Sequence, residues 1–209
     1  MYQALLFDLD GTLIDTESIA TRTGLAAFAK AGFPVDPAFM HGLVGVDQAS
    51  AASLIRAHHA TIDINHLNDL WSMGFRAEAD KGIDLKPFVS QVLALAAHLP
   101  RAVVTSSGRQ YAHQKLAMVG LTDTFATVVT VDDVTKAKPD PEPYLLAARK
   151  LGVDPLRCLV FEDSEAGAEA AHRAGCTVVH VPDLVPSSGR WAHHVADDLM
   201  AGARLAGLI

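Results

Sequence analysis

The sequence predicts an α/β protein: a doubly wound parallel sheet of five strands, with an all-helical segment inserted after the first strand. Three observations lead there. Short apolar, β-branched runs at residues 4–7, 102–105, 127–130, 158–161 and 177–181 alternate with stretches of helical spacing. That alternation is the mark of βαβ units, with helices on both faces of a parallel sheet. The runs carry little polar relief, as strands buried on both faces do. Between residues 15 and 84, by contrast, the apolar residues fall only at helical spacing, and no stretch reads as a strand. The domain reading is an α/β core of residues 1–14 and 85–209, with a helical domain at 15–84.

Taken in order, Ala4-Leu5-Leu6-Phe7 is the first strand, and Asp8-Leu9-Asp10-Gly11-Thr12 follows it. In the insert, Leu25, Phe28 and Ala29 make one helical face, Leu54 and Ile55 a second, and Leu67, Leu70, Trp71 and Met73 a third. Gly32-Phe33-Pro34 and Asp63-Ile64-Asn65 read as breaks between helices. Residues 87–98 form a helix and lead to Ala102-Val103-Val104-Thr105, the second strand. A helix at 110–119 stops at Gly120, before strand 127–130. A helix at 141–151 has proline in its first turn and Gly152 at its end. Strand 158–161, a helix at 164–174 stopped by Gly175, and strand 177–181 come next. The tail, about 195–208, reads as one or two closing helices. Crossovers between the strands are expected to be right-handed.

Half of the 209 residues are apolar, and the formal net charge is −7. No basic run or basic–aromatic stripe is present, which argues against nucleic acid and anionic membrane as partners. No apolar run approaches the roughly 20 residues of a membrane span. The start runs straight into a core strand and shows no signal-peptide pattern. Cys158 and Cys176 lie in apolar stretches and read as buried free thiols, which suits a reducing cytoplasm. A monomer is the expected state.

The chemistry gathers where strands end. Residues i and i+2 of an extended chain point to one side, so Asp8 and Asp10 emerge together at the carboxyl end of the first strand. Two carboxylates this close need a cation or a shared proton, although Asp-Gly is also a common turn. Thr105-Ser106-Ser107-Gly108 offers a hydroxyl and backbone N–H groups at a helix start, a phosphate cradle that could equally be a plain cap. Lys138-Pro139 precedes the helix at 141–151, with Lys136 as a rival cation. Glu162-Asp163-Ser164 ends the fourth strand with paired carboxylates. Adjacent strand residues face opposite sides, so one direct metal ligand and one outer acid is the economical reading. The pairs His58-His59 and His193-His194 read as surface residues rather than a transition-metal set.

These four stretches, in this order, resemble the motifs of the haloacid-dehalogenase-like hydrolase superfamily, in its phosphatase and β-phosphoglucomutase-like branch with a helical cap. The resemblance covers nearly the whole chain. It implies a central first strand, flanked by the second and the fourth. It assigns Asp8 as the nucleophile that forms an aspartyl-phosphate, and Asp10 as general acid and base. Thr105, Ser106 (through its N–H) and Lys138 are implied to bind the phosphoryl group. Mg²⁺ is implied on Asp8, the backbone carbonyl of Asp10, and Asp163, with Glu162 in a water-bridged or supporting role. The family's glycine before the lysine is Ala137 here. The implied partner is a small phosphorylated metabolite, and the implied specificity element is the cap.

The dehalogenases and phosphonate-cleaving members lack the second aspartate, so Asp10 favours phosphate esters. The enzymatic rival is a hexose phosphate mutase of the β-phosphoglucomutase type. Its pattern has a histidine one turn past the Asp-Thr pair, and a lysine and an arginine flanking a cap glycine. Here those positions are Ala20, Val44 and Gln48, around Gly45. The sequence therefore favours a phosphatase acting on a sugar or polyol phosphate. A non-catalytic phosphate-binding module would be expected to have lost one of the carboxylates.

Overall fold

The computed structural model describes residues 1–43 and 48–209. The chain packs as two compact units, Met1–Asp15 with Asp84–Ile209, and Thr16–Ile83. In chain order, strand β1 (Ala4–Phe7) precedes four helices: α1 (Glu17–Lys30), α2 (Pro37–His41), α3 (Gln48–His58) and α4 (Ile64–Ala79). Then come α5 (Val89–Leu95), β2 (Arg101–Val104), α6 (Arg109–Met118), β3 (Thr127–Val129) and α7 (Glu142–Leu151). The chain closes with β4 (Cys158–Glu162), α8 (Glu165–Arg173), β5 (Thr177–His180), β6 (His194–Val195) and α9 (Leu199–Leu205).

The α/β unit is a wholly parallel sheet in the order β3-β2-β1-β4-β5-β6. β1 is central, and all four of its residues are buried, as an unrelieved apolar run requires. Register sets Phe7 beside Val103 on one side and Phe161 on the other. The Phe7 and Phe161 rings stack at 5.2 Å. The next residue, Asp8, therefore leaves the sheet between the ends of β2 and β4. One face of the sheet packs Leu6, Val104, Val160 and Val178 against Tyr144, Ala147 and Ala148 of α7 and Ala168 and Ala171 of α8. The alanines bring the helix backbones close to the β-branched sheet surface.

The sheet has six strands where the sequence predicts five. β6 pairs with β5 at the edge, inside the stretch expected to begin a closing helix. Two residues are too short to show a period of two. A short outer strand is also a common way to end a sheet. One helix, α9, forms the closing element, and Asp198 caps it by accepting from Ala201 N.

The helical unit is built on α1 and α4. Gly24 lets them approach: a Cβ there would lie 2.4 Å from Met40 Cε and 2.7 Å from the Trp71 ring. Trp71 Nε1 donates to Ala20 O at 2.9 Å. Ala27, Phe28, Met40, Ile55, Ile62 and Leu67 form the core of this unit. Asp36 caps α2, and Asp63 caps α4 at one of the breaks read from the sequence. The two segments that lead toward the helical unit are tied together on the α/β side. Asp15 N donates to Asp84 O, Lys86 N donates to Leu13 O, and Ile14 bridges Leu85. Among the described residues, no helix is long and apolar enough to cross a membrane.

Candidate active site

Asp8 is the first residue past β1, and its N–H still donates to Phe161 O at 3.0 Å. The chain then turns sharply. Gly11 sits at φ +85°, and a Cβ there would fall 2.2 Å from Asp163 Oδ2. Both the turn and the closeness of Asp163 thus call for glycine. Thr12, fully buried, donates its hydroxyl to Asp163 Oδ1 at 3.3 Å.

Lys138 ties three strand ends together. Its ammonium donates to Asp8 Oδ1 at 2.6 Å, to Val104 O at 2.9 Å and to Glu162 Oε1. Its three N–H bonds are thereby matched to three acceptors. The side chain is 5% exposed. Lys136, the rival, is 70% exposed and lies 4.0 Å from Asp140 at the surface. The Lys138–Pro139 peptide is cis.

Glu162 is completely buried and takes five donors. Lys138 and the Tyr144 hydroxyl bind Oε1, while Asp163 N, Ser164 N and Ser164 Oγ bind Oε2. Gly167 makes room for it: a Cβ at that position would lie 1.7 Å from Glu162 Oε1. Ser164 Oγ also accepts from Gly167 N, capping α8 while it donates to Glu162. Burial alone would raise the Glu162 carboxyl. The Lys138 charge, with hydrogen bonds from Ser164 and Tyr144, outweighs burial and holds it below the usual range. Burial and the Glu162 charge push the Tyr144 hydroxyl well up, so it stays a donor.

Asp8, Glu162 and Asp163 each offer a carboxylate oxygen, and these lie within 4.8 Å of one another. Three carboxylates face one ammonium, a local excess of negative charge. Burial pushes the Asp8 carboxyl up to about 8; Lys138 opposes that rise, and Glu162 and Asp10 add to it. Burial would lower Lys138, but Asp8 and Glu162 hold it above the ordinary lysine range. A hard divalent cation fits such an all-oxygen, over-negative set. Glu162 is already filled by protein donors, so Asp8 and Asp163 are the carboxylates suited to hold the ion directly.

The Asp10 side chain turns elsewhere. It sits outside this trio, held by Lys115 Nζ on Oδ1 at 2.6 Å and by the Ser107 hydroxyl on Oδ2 at 2.8 Å. Thr105 is buried at the end of β2, and its N–H donates to Val129 O. Its Oγ1 accepts from Ser107 N at 3.0 Å, which leaves the hydroxyl hydrogen to donate to another group. Ser106 is exposed in the bend before α6.

Four participants have no role that the sequence assigns them. Lys115 lies 105 residues from Asp10, inside an ordinary-looking helix. Tyr144 closes the stretch that begins at Lys138 and lies in the helix that follows it. Ser107 lies in a motif but reads as turn. His180, at the end of β5, has Nε2 at 2.8 Å from Asp163 O and Nδ1 at 2.7 Å from Ser187 Oγ, and so braces the Asp163 backbone. Residues 44–47, with the proposed cap glycine Gly45 and its neighbour Val44, lie outside the described residues, as does the Gln48 side chain.

A family profile described as "Haloacid dehalogenase-like hydrolase" matches residues 5–181. The chain belongs to the haloacid dehalogenase-like hydrolase family. It is 33% identical over 181 residues to a fructose-1-phosphate phosphatase, YqaB, of Escherichia coli K12, covering 86% of this chain and 96% of that protein. It is 34% identical over 182 residues to the validoxylamine A 7′-phosphate phosphatase of Streptomyces hygroscopicus subsp. limoneus, covering 84% of this chain and 83% of that one. Among solved structures, CbbY from Rhodobacter sphaeroides in complex with phosphate superposes with a TM-score of 0.77. The identity there is 27%, and 95% of each chain is covered. The protein is an enzyme of this family's phosphatase kind.

Proposed function

We propose that the protein is a Mg²⁺-dependent phosphatase that hydrolyses a small sugar or polyol phosphate through an aspartyl-phosphate on Asp8. The observation that supports it best is the buried Asp8 carboxylate, paired with Lys138 beside Glu162 and Asp163, with Asp10 two residues on. Asp8 attacks phosphorus in line, and the bond to the ester oxygen breaks. Asp10 gives that oxygen its proton. Water then attacks the aspartyl-phosphate, Asp10 takes the proton back, and the Asp8–phosphorus bond breaks. Lys138, the Thr105 hydroxyl and the Ser106 N–H balance charge on the phosphoryl oxygens. Asp8, Asp163 and the Asp10 main-chain carbonyl would hold Mg²⁺. When bound, the ion supplies positive charge against the same oxygens.

The names of the two relatives, a fructose 1-phosphate and a validoxylamine 7′-phosphate phosphatase, support a polyhydroxylated leaving group. In this reading the helical unit is a cap that selects that group and excludes water from it. Two free, buried cysteines, Cys158 and Cys176, agree with a reducing cytoplasm as the working place, and the monomer is the working form. The test is a release assay for inorganic phosphate over a panel of sugar and polyol phosphates with Mg²⁺. Turnover of at least one, abolished by a chelator, is the expected result. No release from any member rejects the reading. Incubation with β-glucose 1-phosphate and catalytic glucose 1,6-bisphosphate separates it from a mutase, which would form glucose 6-phosphate faster than free phosphate.

A further inference from the structure

We propose that Lys115 is a positioning residue: together with Ser107 it fixes the orientation of the Asp10 carboxylate beside the phosphate-binding turn. This rests on the reading of Asp10 as acid and base. Lys115 lies on α6, where Arg109, Gln110, Tyr111, His113 and Gln114 are all exposed. Its own side chain is turned in and only 15% exposed. A lysine usually keeps its ammonium in water, and ordering its four-carbon stem is entropically costly. The contacts that offset this cost close a ring. Lys115 Nζ donates to Asp10 Oδ1 at 2.6 Å and to Ser107 Oγ at 3.1 Å, and Ser107 Oγ donates to Asp10 Oδ2 at 2.8 Å.

Both oxygens of Asp10 are therefore held, which fixes the rotation of the carboxylate as well as its position. Ser107 also donates its N–H to Thr105 Oγ1 at 3.0 Å. One serine thus orients the proton-transfer carboxylate and the phosphate-facing hydroxyl together. A group that moves protons in both steps needs its orientation held within about 10–20°. Asp10 lies in a turn, outside the sheet hydrogen bonds that fix Asp8, and the Lys115–Ser107 ring supplies the constraint from a rigid helix.

The test compares wild type with Lys115→Met, Lys115→Arg, Ser107→Ala, Asp10→Ala and the double variant Lys115→Met/Asp10→Ala. Each is assayed with Mg²⁺ on fructose 1-phosphate, an alkyl phosphate whose leaving oxygen needs a proton, and its melting temperature is recorded. Lys115→Met should lower kcat roughly 10- to 100-fold, with KM within about two-fold. Lys115→Arg should recover much of the loss, and Ser107→Ala should show a smaller fall. In the Asp10→Ala background, Lys115→Met should cost nothing further, since the group it positions is gone. An equal fold-loss in both backgrounds overturns the proposal, as does a lowered melting temperature with kcat unchanged. An Asp10→Ala enzyme as fast as wild type overturns the Asp10 reading instead. A slow Asp10→Ala enzyme beside a fast Lys115→Met enzyme overturns only the role of Lys115.

Discussion

The two units bury very different things. In the α/β unit the buried polar side chains include Asp8, Thr12, Thr105, Glu162 and His180, and each touches the carboxylate cluster or the turn beside it. Among the described residues of the helical unit they are Thr16 and Thr23, and Thr23 Oγ1 bonds back to Ile19 O within its own helix. The helical unit's interior is an apolar core, with Phe28 edge-on to Phe39 and tilted on Trp71. Buried charge is costly unless it is paired and hydrogen-bonded. The α/β unit carries that cost at the carboxyl ends of its central strands, where the carboxylates meet. The contrast teaches that mutations in the two units should separate activity from stability.

The largest break in that contrast is Asp8→Asn. Turnover should fall by a factor on the order of 10⁴ or more, as when a nucleophile is removed. The melting temperature should hold or rise, because one charge leaves an over-negative cluster. Retention of more than a few per cent of the activity, about one part in 30, would refute covalent catalysis through Asp8. Next comes Asp10→Asn, which should slow an alkyl phosphate by ~10² to 10⁴. Rapid-quench trapping should show phosphoenzyme accumulating in it; unchanged kinetics would sink the acid–base role.

Phe28→Ala probes the other side of the comparison. It deletes a fully buried ring from the helical core and should cost about 3–5 kcal/mol of stability. Urea denaturation followed by circular dichroism reads it. A variant as stable as wild type would mean that this core is not what holds the helices.

The smallest expected effect is a pH dependence of Mg²⁺ stabilisation. The Asp8 carboxyl, ordinarily at 3.8, is pushed up to about 8 when no cation is bound. A raised acid favours folding fully below its ordinary pKa, and that contribution is lost as pH climbs through the folded value. A cation that replaces the proton reverses the trend. The rise in melting temperature caused by Mg²⁺ should therefore grow between about pH 6 and about pH 8, by a few degrees. A Mg²⁺ effect that shrinks over that range would show that the ion does not compete with the proton on Asp8.

Much of this was legible in the chain, because each motif is local. An apolar run followed by Asp-x-Asp-Gly, or by Glu-Asp-Ser, gives away a strand and the acids at its end without reference to anything distant. Lys138 was separated from Lys136 only by resemblance to the family's lysine-proline pair, and the structure puts it, not Lys136, between Asp8 and Glu162. Glu162 and Asp163 needed the fold to be told apart. Alternation along a strand says that they diverge, but only the packing shows that Glu162 is filled by five protein donors. The edge strand His194–Val195 was hidden in the tail because two residues carry no periodicity.

By itself, then, the sequence determined the α/β class and the helical insertion, which follow from periodicity, and it marked four stretches of acids, hydroxyls and lysine whose individual roles came from their resemblance to the family's motifs. Only the tertiary structure decided which way the Asp10 carboxylate turns, that Lys115 and Ser107 grip it, that Tyr144 and Gly167 shape the Glu162 site, and that His180 braces Asp163. Apart from Gly167, whose Cβ would fill the space Glu162 occupies five residues before it, those contacts join residues that are 17 to 105 positions apart. Their partners are chosen by strand order and helix placement, which no local pattern encodes.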